Sequence, residues 1–256
     1  MLGSEVRHLR LRLARSGVFF VAMLALKTLL FALLLTTCAV SAVQAQSQEY
    51  ILVSGGPALH KWEQYRRPGE QHDHWWANFI RPARMRIEEI QKKDPAAFIT
   101  WMVYENSYVT RSQEENRSLT ELVGTVRDKY HVNLVWFQSG DQVINYMNHG
   151  QPRGRTPICN FEYFGHSNKY CFLFDYSNHT YGASPAWLHE KDLTKLNFGI
   201  FTKDAFCKSW GCHTGESMST AWRRATGLPM WGACGKTDYS NPMQVELSPG
   251  GHWSQG

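Results

Sequence analysis

The sequence predicts an α/β fold, a three-layer α/β/α sandwich with a mainly parallel central sheet. Short apolar segments alternate with amphipathic segments of helical period along residues 46–256. That alternation is typical of sheets whose parallel strands are joined by helical crossovers. About 210 residues are enough for one domain with a sizeable core. With 13% aromatic and 19% charged residues, the composition is that of a globular protein.

The first half of this region starts with an apolar run that ends in glycines, as central strands often do. A helix follows, because Phe79, Ile80, Ala83 and Ile87 share one face at helical spacing. A second apolar run, a second amphipathic helix and a third strand come next, and the polar stretch Glu105–Glu115 is expected to be a loop. The predicted elements are strands at Tyr50–Gly56, Phe98–Tyr104 and Val132–Phe137, and helices at Trp75–Lys92, Leu119–Tyr130 and Gln142–Met147.

The second half repeats the alternation with shorter elements. Apolar runs predict strands, and the amphipathic stretches between them predict short helices. The tail from Ser240 has little pattern. The predicted elements are strands at Ile158–Phe164, Tyr170–Tyr176, the segment leading into Cys212 and Met230–Cys234, and helices at Trp187–Leu196 and Glu216–Thr226.

Residues 1–45 have the layout of a secretory signal peptide. A basic segment precedes an apolar stretch at residues 17–40, and Val43-Gln44-Ala45 is a small-x-small cleavage signal. We therefore expect an exported protein, periplasmic or secreted. The alternative is an uncleaved anchor, since residues 17–40 are long enough to span a membrane if Lys27 is tolerated. In that case only this segment would contact the membrane.

The net charge of +5 arises mostly in this leader, which carries five Arg or Lys residues against one Glu. Residues 46–256 are left with a net charge of only +1 and no basic cluster. Electrostatics therefore gives no reason to expect nucleic-acid binding.

Five cysteines follow the leader, namely Cys159, Cys171, Cys207, Cys212 and Cys234. An odd number in an exported protein leaves at least one thiol unpaired, and Cys212 is the candidate. The others are either reduced or paired, for example Cys159 with Cys171 and Cys207 with Cys234.

Two strands are expected to deliver a histidine and a cysteine to the same edge of the sheet. His166 and Cys212 each follow an apolar run, and each has a glycine directly before it, Gly165 and Gly211. Functional residues gather at the carboxyl ends of parallel strands. A neighbouring imidazole turns a thiol into a useful nucleophile, and backbone N–H groups from Gly211 to His213 are candidate donors to an oxyanion. The alternative is a buried structural thiol beside a loop histidine.

These segments resemble the two catalytic motifs of metacaspases. Tyr163-Phe164-Gly165-His166-Ser167 is similar to their Tyr-Ser-Gly-His-Gly motif, and Gly211-Cys212-His213-Thr214-Gly215 to their Asp-Ser-Cys-His-Ser-Gly motif. The resemblance implies a caspase-like fold and a cysteine endopeptidase that needs no cofactor. It also implies His166 as proton shuttle, Cys212 as nucleophile, and a protein or peptide as substrate.

The chain departs from the metacaspase pattern at the position two residues before the cysteine. Metacaspases have an acid there that helps to select Arg or Lys, whereas this chain has Trp210. The preferred residue at the scissile bond is therefore not implied. His213 is expected to be a local polar group whose side chain diverges from that of Cys212, although it is the rival for the catalytic base. Asp175 and Asp238 are candidates to orient His166 or to line a pocket.

Two functions of other classes stay open. One is a caspase-like module that binds a partner without catalysis. The other is a metal-dependent hydrolase that uses His72 and His74, although no third ligand is evident nearby.

Overall fold

Seven strands form the main sheet of the structure, which is a computed structural model that describes residues 47–64, 75–175 and 186–256. The strands of this sheet are β1 (Glu49–Ser54), β2 (Phe98–Tyr104), β3 (Asn133–Phe137), β4 (Ile158–Phe164), β8 (Phe201–Ser209), β9 (Met230–Cys234) and β12 (His252–Gln255). Their order across the sheet is β12-β9-β8-β4-β1-β2-β3, and every neighbouring pair is parallel except β9 with β12.

Two small antiparallel sheets lie beyond the ends of these strands. One contains β5 (His166–Ser167), β6 (Cys171–Leu173) and β7 (Trp187–His189), and the other contains β10 (Thr237–Asp238) and β11 (Glu246–Leu247). The helices are α1 (His60–Glu63), α2 (Ile80–Lys93), α3 (Glu105–Glu114), α4 (Leu119–Tyr130), α5 (Gly140–His149) and α6 (Met218–Thr226), with short 3-10 helices at Glu190–Lys195 and Thr214–Glu216.

The predicted three-layer sandwich is confirmed, because buried apolar side chains lie on both faces of the sheet. On one face, α5 and α6 contribute Val143, Ile144, Met147, Met218 and Trp222. On the other face, α2, α3 and α4 contribute Ile80, Ile87, Tyr108, Leu119 and Val123. Burying apolar surface on both sides of a parallel sheet is the main stabilising contribution in such a fold.

Three predicted elements differ from the structure. Glu105–Glu115 is largely helical, because α3 packs inward through Tyr108 and the buried Arg111 instead of aliphatic residues. The expected helix Trp187–Leu196 begins as strand β7, which pairs with β6 and continues as a 3-10 helix. The tail from Ser240, for which no element was predicted, contains strand β12, which pairs with the edge strand β9. Backbone pairing at an edge does not require an apolar alternation.

No helix among the residues that the structure describes is long and apolar enough to cross a membrane. The predicted leader at residues 1–45 and the predicted metal ligands His72 and His74 lie outside the described residues.

Candidate active site

The structure brings the His166 and Cys212 segments into contact at the carboxyl ends of two neighbouring strands. β4 and β8 are paired in parallel, with Tyr163 opposite Ser209. Beyond that pair, the Ser167 hydroxyl donates a hydrogen bond to the Cys212 carbonyl at 2.7 Å. The sequence-based expectation that both segments reach the same edge of the sheet therefore agrees with the topology.

Two glycines allow this close approach. A Cβ on Gly211 would lie 2.2 Å from the Ser167 hydroxyl oxygen, and a Cβ on Gly165 would lie 2.3 Å from the Tyr163 hydroxyl oxygen. Neither space admits another side chain without a shift of its neighbours. The glycine before each proposed catalytic residue is thus required by packing.

His166 lies at the start of the small sheet, where it is held through its backbone. The buried Tyr163 hydroxyl donates to the carbonyls of His166 at 2.5 Å and Leu173 at 3.1 Å. Burial raises the pKa of Tyr163 well above its ordinary value, so this hydroxyl remains a donor. The imidazole ring is edge-on to Phe79, with ring centroids 4.9 Å apart.

Cys212 follows β8, and its sulfur is hydrogen-bonded to Thr237. The Thr237 backbone N–H donates to this sulfur at 3.3 Å. The Thr237 hydroxyl oxygen lies 3.4 Å from the sulfur, and the Thr237 carbonyl lies 3.8 Å from it. Thr237 is fixed in turn by pairing of β10 with β11. Among the described residues, Thr237 alone is hydrogen-bonded to this sulfur. The hydrogen bond between the His166 and Cys212 segments is made by Ser167 instead.

Two of the predicted oxyanion donors have acceptors within the protein in this conformation. The Gly211 N–H donates to the Ser209 hydroxyl at 3.2 Å, and the His213 N–H donates to the Gly235 carbonyl at 2.8 Å. The assignment of these amides to an oxyanion stays a prediction.

His213 has a left-handed backbone conformation and a side-chain partner of its own. Its φ of 63° lies in the left-handed region, and its ring nitrogen Nδ1 is 2.6 Å from Glu216. The bond to His213 is the main cause of the lowered pKa of Glu216. The His213 ring is therefore engaged by Glu216, and this contact gives no support to its role as the rival base.

Each aspartate proposed to orient His166 accepts a hydrogen bond from another residue. Asp175 accepts a hydrogen bond from the Tyr104 hydroxyl at 3.0 Å. Asp238 accepts one from the backbone of Ser240 at 2.7 Å.

Trp210 connects the site to the face of the sheet that helix α2 covers. Its indole N–H donates to the fully buried Glu162 at 2.9 Å, and Arg86 of α2 pairs with the same carboxylate at 2.6 Å. The Tyr239 hydroxyl donates to the Trp210 carbonyl at 2.9 Å. A tryptophan with its N–H satisfied presents an apolar ring where metacaspases have an acid.

All five cysteines that follow the leader are free thiols in the structure. The alternative of reduced cysteines therefore holds, and the disulfide pairs Cys159–Cys171 and Cys207–Cys234 are not formed. Burial raises the pKa of Cys159, Cys171 and Cys207, to about 11, about 11 and about 12 respectively. These three thiols are poor nucleophiles at neutral pH.

Sequence reasoning missed Ser167, Thr237 and Tyr239 as contributors to the site. Each follows the carboxyl end of a strand, Ser167 after β4 and the other two after β9. That position was the available signal, but no residue type or spacing distinguished them from other loop residues.

Within residues 47–64, 75–175 and 186–256, no group of three or more His, Cys, Asp or Glu side chains is placed to bind a metal ion. Comparison with known proteins gives no match to any family model, curated protein or solved structure.

Proposed function

We propose that the protein is an exported caspase-like cysteine endopeptidase, with Cys212 as nucleophile and His166 as proton shuttle. The observation that carries the proposal is the contact between the two motif-bearing segments at the ends of β4 and β8, made by Ser167 and Cys212. The two motif matches and the adjacency of the strands that precede them support the same conclusion.

The reaction would be acyl transfer in two stages. His166 takes the thiol proton, and the sulfur of Cys212 attacks the carbonyl carbon of the scissile peptide. The tetrahedral intermediate then expels the amine, which His166 protonates, and leaves a thioester. Water, deprotonated by His166, hydrolyses the thioester and regenerates the thiol.

The proposal requires the sulfur to exchange a Thr237 contact for the imidazole when substrate binds. Catalytic hydrogen bonds are often loose in a substrate-free enzyme and tighten in the complex.

A peptide-library cleavage assay tests the proposal, with Cys212→Ala and His166→Ala as loss-of-function variants. Cys234→Ala is the matched control, because Cys234 is also a half-buried free thiol and is the last residue of β9, the strand next to β8. We expect cleavage by the parent and by Cys234→Ala and none by the other two variants. Cleavage that survives in Cys212→Ala would contradict the assigned nucleophile.

The binding-module alternative is favoured by one observation, the engagement of the Cys212 sulfur by Thr237. Labelling with a thiol-directed peptide electrophile distinguishes the two functions. A catalytic site labels at Cys212 in the parent and loses the label in Cys212→Ala. An intact, folded protein that neither cleaves any peptide nor labels at Cys212 would support the binding module.

A further inference from the structure

A cavity of about 300 Å³ lies on the α2 side of the proposed active site. We name it the α2 pocket. Its walls are helix α2, the ends of β4 and β8 at Phe164 and Trp210, and residues 241–245 of the C-terminal segment. This volume is at the lower end of the range for pockets that hold small ligands, and it suits one large side chain of a peptide.

The wall of the α2 pocket is partly apolar. Phe164 and Trp210 stack at 5.8 Å with nearly parallel rings and form one wall. Met85 and Met243 line the pocket from α2 and the C-terminal segment. Methionine side chains adapt to ligands of different shape. Met243 is 72% exposed, so this wall faces solvent.

Arg81 places an uncompensated positive charge in the wall of this pocket. Its guanidinium donates to the Tyr239 carbonyl and, at 2.9 Å, to the Asn241 carbonyl, and it lies 4.9 Å over the Trp75 ring. In the described part of the chain no carboxylate lies at ion-pair distance from it. Burial, with a smaller contribution from Arg84, lowers the pKa of Arg81, as expected for a partly desolvated cation without a counter-ion.

The other charged residues of the pocket already have partners. Arg86 pairs with Glu162 at 2.6 Å and with Glu89 at 3.0 Å. The two side-chain amides of the C-terminal wall, Asn241 and Gln244, donate to Glu246. The pocket therefore combines partly apolar walls with one anchored cation that has no anionic partner among the described residues, and this favours an anion attached to an apolar group.

We propose that the α2 pocket is a recognition site for an acidic peptide segment, in which an apolar side chain fills the cavity and an adjacent Asp or Glu carboxylate pairs with Arg81. The proposal rests on the proposed peptidase function, because it names the class of polypeptide that the enzyme selects. The proposal assigns the enzyme a preference for acidic segments, whereas an acid at the position of Trp210 would have favoured basic residues.

The pocket is directly connected to the proposed catalytic residues. Trp210 lies two residues before Cys212, and the Tyr239 hydroxyl holds its carbonyl. Phe79 packs edge-on against both His166 and Tyr239, each at 4.9 Å between ring centroids. A peptide segment in the α2 pocket is therefore bound next to the elements that carry the nucleophile and the base.

The test measures peptide binding without cleavage, in the full chain with Cys212→Ala. Fluorescence anisotropy compares two labelled peptides, Gly-Ser-Leu-Glu-Gly-Ser-Gly and its counterpart with Gln in place of Glu. We expect the Glu peptide to bind about fivefold more tightly, the upper end for a partly exposed ion pair. Added Arg81→Gln should abolish this difference. Added Arg84→Gln should preserve it, because Arg84 lies on the same helix outside the pocket and pairs with Glu88.

Equal affinity for the two peptides would overturn the proposal, and so would a preference for Glu that survives Arg81→Gln. If Arg81→Gln does not fold, Met243→Glu tests the proposal in its place. Met243 is exposed, so a polar side chain is expected to be tolerated at this position. The added carboxylate should reduce the preference for the Glu peptide, and Met243→Gln should not. A preference that is unchanged in folded Met243→Glu would also overturn the proposal.

Cleavage by the parent enzyme separates this inference from the proposed function. Selective binding of the Glu peptide without cleavage of any library peptide would contradict the peptidase and leave the pocket in place. Cleavage of library peptides with no preference for acidic residues and no selective binding would contradict the pocket and leave the peptidase in place.

Discussion

The chemistry of the site depends on which hydrogen bonds the Cys212 sulfur accepts. Thr237 supplies a backbone N–H at 3.3 Å, and its hydroxyl oxygen lies 3.4 Å from the sulfur. Donors directed at a sulfur stabilise its anionic form. A thiolate, and not a thiol, is the nucleophile in acyl transfer. We therefore predict that the Thr237 hydroxyl donates to the sulfur and favours its reactive form.

Replacing Thr237 by Val removes the hydroxyl and keeps the shape and the backbone N–H. We expect alkylation of Cys212 by iodoacetamide at pH 7 to become about fivefold slower, which corresponds to the loss of one hydrogen bond of about 1 kcal/mol. Mass spectrometry of the peptide that contains Cys212 gives the rate. Thr237→Ser is the control and should react as the parent does. An equal or faster rate in Thr237→Val would show that the hydroxyl does not stabilise the thiolate.

At the scale of elements, one buried ion pair joins helix α2 to strand β4. Glu162 is 0% exposed and lies on the sheet, while Arg86 reaches it from α2. The Trp210 indole N–H occupies the second carboxylate oxygen. A buried carboxylate is tolerated only while its partners remain, so this pair fixes the position of α2 above the ends of β4 and β8.

Arg86→Met should lower the free energy of unfolding by about 3 kcal/mol, because it leaves a buried charge without its ion-pair partner. Urea unfolding measures the loss. Arg84→Met is the control on the same helix. Its exposed pair with Glu88 should contribute less than about 1 kcal/mol. Adding Glu162→Leu to Arg86→Met should recover part of the stability. Equal losses in the two single variants would contradict the importance of the buried pair.

Elements with a regular apolar pattern could be predicted from the sequence, and those held by other interactions could not. Phe98–Tyr104, Leu119–Tyr130 and Ile158–Phe164 have the bounds that their patterns predicted. Helix α3 was missed because one of its inward positions is Arg111, which is not apolar. The ion pair between Arg111 and Glu115 offsets the cost of burying this arginine, and no apolar periodicity indicates such a pair. Strand β12 was missed because its pairing uses backbone groups alone.

The apolar strand patterns predicted part of the candidate site, and the contacts made by long-range pairing could not be predicted. Apolar strands that end in Gly-His and Gly-Cys place His166 and Cys212 at one edge of the sheet. The Thr237 contact depends on how the chain returns after β9. That path is set by long-range pairing of β10 with β11 and by Arg81 holding the carbonyls of Tyr239 and Asn241. Local sequence carries no information about such contacts.

At the scale of the whole molecule, the α2 side of the sheet is less completely covered over β8, β9 and β12 than over β1 and β4. Phe206 is 40% exposed and Trp231 is 36% exposed on neighbouring strands. Between them lies Lys208, with its ammonium 3.5 Å from the Trp210 ring centroid and 3.8 Å from that of Trp253. The Trp210 and Trp253 rings therefore shield the Lys208 ammonium from solvent on this less covered part of the sheet.

This arrangement makes the stability of the whole domain depend on pH in a defined window. Burial lowers the pKa of Lys208 from its ordinary value of 10.5 to about 8, although Glu162 nearby acts in the opposite direction. Between these two values the unfolded chain binds a proton that the folded protein does not bind. The free energy of unfolding due to Lys208 must therefore rise with pH across this window.

Comparison with Lys208→Met isolates this effect from the tyrosine and cysteine titrations that the two proteins share. Urea unfolding from pH 7 to pH 10.5 should show the parent gaining stability relative to Lys208→Met as the pH rises through about 8. Below that pH the difference should be constant, because both states of the parent then carry the proton. Lys203→Met, at an exposed position of the same strand, is the control and should give a profile parallel to the parent. A constant difference between the parent and Lys208→Met over the whole range would show that the aromatic rings compensate the ammonium fully for its lost hydration.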